Sequence, residues 1–193
     1  MRLNQSFYRN PDVTVVARAL LGKVLVTKTH DGRTAGMIVE TEAYSFRERG
    51  CHAYQNRMTA RNSVMFEAGG VSYVYFIYGV HHMFNVVTNT EGQAEAVLVR
   101  ALEPLEGIDL MKSRMDVMTP RRITSGPGKL AKAMGIDREW NGTSMQSPYL
   151  WIEDRGIGPI PITKSRRIGI DYAGPDSNKL WRFSIKGNEW VSR

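Results

Sequence analysis

The sequence predicts an α+β fold, one domain over residues 1–193 with a mixed, mostly antiparallel, curved β-sheet and flanking helices. Short runs rich in β-branched and aromatic residues recur along the chain. Helical spacing occurs in only three stretches, which do not alternate regularly with the strands as a doubly wound fold requires. The 193 residues, at 42% hydrophobic content, supply one well-buried core, and no repeat, low-complexity tract or interdomain linker divides them.

The elements follow in chain order. Asn10, Pro11 and Asp12 start a short amphipathic helix carrying Val15, Val16, Ala19 and Leu20, and Gly22 ends it. Residues 23–27 and a run from Thr34 towards Glu42 flank the turn Asp31-Gly32 and read as a hairpin. After a polar, loop-like stretch over 45–63, strands are expected at 71–78, ending at Gly79, and then at 84–88 and 96–102. Residues 105–115 and 129–134 have helical spacing, the second preceded by Ser125-Gly126-Pro127-Gly128 and closed by Gly135. The tail returns to short strands at 150–153, 166–170 and 180–186.

Composition narrows the partners. A net charge of +7, from 26 Lys and Arg against 19 Asp and Glu, favours a polyanion, with nucleic acid ahead of a membrane surface. The lone Cys51 has no partner for a disulfide or a thiolate metal site, which suits a reducing cytoplasm. No apolar run approaches the roughly 20 residues of a spanning helix, and the N-terminus lacks the order of a signal peptide. The expectation is a cytoplasmic chain without a membrane span.

Four groups of residues carry possible chemistry. Glu40 and Glu42 end an otherwise buried strand and share a face by alternation. Such a pair suits general acid or base work, or a sheet edge held by salt bridges. Arg100 interrupts an apolar strand and needs an anionic partner, for which Glu42 and Glu40 are the candidates, in a structural pair or a catalytic one. In Tyr73-Val74-Tyr75-Phe76-Ile77-Tyr78-Gly79, Tyr73 and Tyr75 share a face, whereas Tyr78 has the opposite parity at a strand tip. Flat tyrosines suit stacking on a heterocycle and a tip aromatic suits insertion between bases, although a tyrosine-rich core strand has the same pattern. Arg57, Arg61 and Lys129, the last after a glycine-rich turn, suit phosphate contacts, and Lys186 with Arg166 and Arg167 extends a basic face. The stretch before Lys129 lacks P-loop spacing, and His30, His52, His81 and His82 have no metal-ligand spacing, so neither a metal nor another cofactor is expected.

Glu40-Thr41-Glu42-Ala43-Tyr44, His52, Thr59-Ala60-Arg61-Asn62, Tyr73 to Gly79, Asn85 and Arg100-Ala101-Leu102-Glu103-Pro104 together resemble the alkyladenine (3-methyladenine, methylpurine) DNA glycosylase family. The resemblance continues through Ser125-Gly126-Pro127-Gly128-Lys129-Leu130 to Trp190-Val191-Ser192, almost the whole chain. It implies a monofunctional enzyme of base excision repair that flips alkylated or deaminated purines from double-stranded DNA and hydrolyses the N-glycosidic bond. The expected substrates are 3-methyladenine, 7-methylguanine, hypoxanthine and etheno-adenine.

By that resemblance Glu42, not Glu40, is the general base for water, with Arg100 and the backbone carbonyl of Ile168 positioning it. Tyr44, His52 and Tyr75 line the base pocket, and Asn85 rejects guanine by crowding its amino group. Tyr78 fills the gap in the duplex, with Arg61, Met65 and Lys129 near the DNA backbone or groove. The segment between Tyr44 and His52 is slightly short, and Val80-His81-His82 replaces bulkier neighbours of the inserting tyrosine. The enzyme is expected to act as a monomer. Two other classes stay open: a non-catalytic lesion-binding module and a tRNA-binding, formyltransferase-like domain.

Overall fold

The computed structural model of the protein describes residues 1–118 and 122–192. Eight strands form one sheet: β1 Val24–Thr29, β2 Gly32–Ser45, β3 Ser72–Ile77, β4 His81–Thr88, β5 Glu95–Glu106, β6 Leu150–Glu153, β7 Ile162–Ser165 and β8 Arg182–Ile185. Their order is β3-β4-β5-β2-β1-β6, with β8 pairing both β2 and β7. Every pairing among these strands is antiparallel. The long central pair β2–β5 carries register shifts near Ala35, Ile38 and Glu40, which bend and twist the sheet. This is the α+β architecture expected, with the sheet curled into a half-barrel.

Four helices accompany it: α1 Gln5–Tyr8, α2 Val13–Ala19, α3 Ile108–Met115 and α4 Pro127–Met134. Asp12 caps α2 by accepting from the Thr14 N–H. Leu20, Leu130 and Met134 join Val39, Ala43, Val97, Val99 and Ala101 in the main core. By alternation, the even-numbered residues Glu40, Glu42, Tyr44, Ala96, Leu98 and Arg100 point to the other face of the sheet. A smaller cluster around Met65, Phe66, Tyr73 and Ala96 packs there.

Sequence and structure differ at three places. Leu105 and Glu106 finish β5 instead of opening a helix, and α3 begins only after Gly107 turns the chain at φ 69°. Residues 166–170 are not a strand; the pairing segment lies just before them, in β7. Their apolar residues serve other ends, since Ile170 is buried and Ile168 lines a cavity. Helix α1, of four residues, is too short to show a period, and Asn4 caps it.

Candidate active site

Two bulges set the charged centre. Across β2 and β5, Ile38 pairs Leu102, Glu40 pairs Ala101 and Thr41 pairs Val99, so Val39 is extra on one strand and Arg100 on the other. The displacements cancel, and Arg100 reaches the face that bears Glu40 and Glu42. Its Nε donates to Glu40 Oε1 at 3.1 Å and its Nη1 to Glu42 Oε2 at 3.2 Å. Both carboxylates are fully buried.

The two glutamates have different surroundings. Glu40 also accepts from Arg182 Nε at 2.6 Å, from the Ser192 hydroxyl at 2.9 Å and from the Ser192 N–H at 2.7 Å. Its partners come from β8 and the tail, and with Arg100 they make four donors. Glu42 has three: Arg100, the Tyr44 hydroxyl on Oε2 at 2.8 Å and the Ile168 N–H on Oε1 at 2.8 Å. Glu40 therefore takes four hydrogen bonds, three of them on Oε1, and Glu42 takes three, two on Oε2 and one on Oε1. Ile168, whose carbonyl the resemblance gives a positioning role, bonds Glu42 through its N–H.

All three donors to Glu42 line a cavity of about 270 Å³. Tyr73, Tyr75, His52, Asn85 and Met65 complete much of its wall, with Tyr78 and Tyr172 also lining it. His52 packs edge-on to Tyr75 with centroids 4.6 Å apart, and its Nδ1 lies 2.9 Å from the Tyr73 hydroxyl. Asn85 is 4% exposed and fixed by its Nδ2, which donates to the carbonyls of Tyr73 and Met83. Burial, then the neighbouring Glu42 charge, pushes the Tyr44 hydroxyl well above its ordinary value, so it stays a proton donor. Burial pushes Tyr75 up to about 12 and lowers His52, with Arg61 adding to the latter effect.

Tyr78 stands on the β3–β4 turn, 79% exposed. It and Gly79 both have positive φ, 57° and 69°, and the Val80 N–H closes the turn on the Ile77 carbonyl at 3.3 Å. The register pairs Ile77 with His81 across this three-residue loop, and the tyrosine holds a φ that glycine or asparagine usually supplies. Arg61 is exposed, with its guanidinium 5.5 Å from the Tyr75 ring centroid, and Lys129 is exposed in the first turn of α4. Met65, expected near the DNA backbone or groove, is 2% exposed on the cavity wall. Arg167 is likewise buried and not part of a basic face. Among the described residues no three His, Cys, Asp or Glu side chains are grouped to hold a metal ion.

The family model for methylpurine-DNA glycosylase matches residues 6–189. The chain belongs to that family. It is 43% identical over 201 residues to a Clostridium acetobutylicum protein provisionally named 3-methyladenine DNA glycosylase, covering 100% of this chain and 98% of the relative. Proteins of the same provisional name from Clostridium botulinum strain Hall and Natranaerobius thermophilus are 42% and 40% identical, each over 100% of this chain and 99% of their own length. The methylpurine-DNA glycosylase family member described here is therefore a DNA glycosylase, with DNA as its substrate. None of its helices among the described residues is long and apolar enough to cross a membrane.

Several residues of the site escaped the sequence reading. Arg182 repeats the signal that exposed Arg100, a cation within a short apolar strand, and it finds the same glutamate. Ser192 and Tyr172 carry no comparable signal. Glu48 and Arg167, joined across 119 positions, share no spacing that links them.

Proposed function

We propose that this single-domain glycosylase flips an alkylated or deaminated purine out of double-stranded DNA and hydrolyses its N-glycosidic bond with water activated by Glu42. One observation carries the reading: all three donors to the buried Glu42 line an aromatic cavity whose lip bears an exposed tyrosine. The extruded base stacks between Tyr44, His52 and Tyr75, and Tyr78 takes its place in the duplex, offsetting part of the unstacking. Asn85, its amide held by two carbonyls, crowds the amino group of an intact guanine. Arg61 and Lys129 meet phosphates, and Met65 packs on the base.

In the chemical step water oxygen bonds to the sugar C1′ as the C1′–N bond breaks, its electron pair leaving with the base. The water proton passes to Glu42. Arg100 and the Ile168 N–H hold the carboxylate in place. A purine methylated at N3 or N7 is cationic and leaves as a neutral molecule, so water supply and exclusion of bulk solvent suffice. Glu42 has no exposed surface in the free protein. The water reaches it as the Tyr44 hydroxyl swings off Oε2 or the wall at Ile168 opens. The enzyme acts as a monomer in the cytoplasm.

Duplexes bearing 7-methylguanine, 3-methyladenine, hypoxanthine or etheno-adenine, assayed for released base and abasic sites, test this directly. Release of at least one, abolished by Glu42→Gln with binding retained, is the expected result. No release from any of the four sinks the reading, and an adduct trapped by borohydride replaces water with an amine nucleophile.

A further inference from the structure

The ion pair of Glu48 and Arg167 has no part in the reaction described above. Both side chains are fully buried and meet through two hydrogen bonds of 2.7 Å, Nη1 to Oε1 and Nη2 to Oε2. A buried pair of this kind is no more stabilising than well-packed apolar side chains of the same volume, so its place is explained better by what it touches. The guanidinium lies 4.7 Å from the Tyr44 ring centroid and 5.4 Å from that of Trp181. Arg167 does not line the cavity and Tyr44 does. Tyr44 thus carries a guanidinium over its ring and itself lines the cavity, which Arg167 does not reach. Glu48 is tied to a second part of the wall, accepting from the N–H of Gly50 at 2.7 Å.

An aromatic ring attracts a cation through the negative charge density over its faces. A guanidinium on one face draws on that density and repels a second positive charge across the ring. Glu48 neutralises the pair as a whole, but it bonds Nη1 and Nη2, whereas the guanidinium carbon is what lies over the ring. We propose that Arg167, held by Glu48, is a specificity-determining positioning residue. It weakens the preference of Tyr44 for cationic purines and so extends excision to neutral ones. The proposal rests on Tyr44 being a wall of the base pocket.

The test is the ratio of single-turnover excision rates for 7-methylguanine, which is cationic, and hypoxanthine, which is neutral, in otherwise identical duplexes. Glu48→Gln keeps the shape but leaves the Arg167 charge uncompensated, and lowers the ratio about threefold. The double variant Glu48→Gln/Arg167→Met removes both charges and raises it about threefold. A purely structural role slows both substrates alike and leaves the ratio unmoved. Unchanged ratios, or shifts in the same direction in both variants, overturn the proposal; should the double variant not fold, Glu48→Gln decides alone. Binding to 2′-fluoro versions of the two duplexes, which resist cleavage, gives the same ratio without catalysis. Loss of all excision by the unaltered enzyme thus counts against the hydrolytic reading, and an unmoved binding ratio counts against this one.

Discussion

At the floor of the cavity Glu42 and Arg100 lie inside the protein, bonded to each other, whereas at its lip Tyr78 stands 79% exposed on a turn with φ 57°. The floor is tied together from β2, β5, β8 and the C-terminal tail. The lip belongs to one hairpin. In the proposed function the first arrangement holds the reacting group still, and the second presents an aromatic face to DNA: the group that would have to aim is built into the core, and the group that would have to insert is kept out of it.

The largest effect separates chemistry from binding at the floor. Glu42→Gln keeps the shape and one of the two acceptor oxygens, enough for Tyr44 and Arg100 or for the Ile168 N–H, but cannot take a proton, and excision falls by about 10² to 10⁴. Gel-shift affinity for a lesion duplex is unchanged within about twofold. If excision survives, the floor is scaffolding and the contrast collapses. Arg100→Met comes next: two buried carboxylates lose a partner, and stability falls by about 3–5 kcal/mol in urea unfolding. A loss near zero shows that Arg182 and Ser192 suffice for Glu40.

At the lip the expected pattern is reversed. Tyr78→Asn keeps a residue that tolerates positive φ and removes the ring. Capture of a flipped base, followed by fluorescence of a base analogue, weakens by about 1–3 kcal/mol, while the melting temperature stays constant or rises. Unchanged flipping removes Tyr78 from the insertion role. A large fall in stability makes it part of the core after all.

The same division governs what was legible in the sequence. Strand runs, the Gly79 turn and the helix over Pro127–Met134 are local patterns, and each appears in the fold within a few residues. Arg100 was legible as a cation in an apolar strand, and its partners followed from charge alone. The choice between Glu40 and Glu42 was not, because alternation puts both on one face. The surroundings that differ between them come from Arg182 and Ser192, which bond Glu40 from the far end of the chain. Arg167 lies off the expected basic face for the same reason: whether a side chain is inside depends on what folds over it.

The smallest effect sits between floor and lip, at His52. Its ring is open to the cavity yet set among Tyr73 and Tyr75, and burial, then Arg61, holds it below its ordinary value near 6.5. The unfolded chain therefore takes up the proton first as pH falls. The stability contributed is complete above about 6.5 and is lost as pH drops from there through the lower folded value. Solvent screening at so open a ring keeps the effect small. Thermal melts of the wild type and His52→Gln between about pH 8 and 5 measure it as the difference between the two curves. That difference shifts against the wild type on the acid side. A difference independent of pH places His52 with the exposed lip, as free to titrate as in the unfolded chain; the expected shift places it with the floor, as a neutral wall on which a charged base can stack without repulsion.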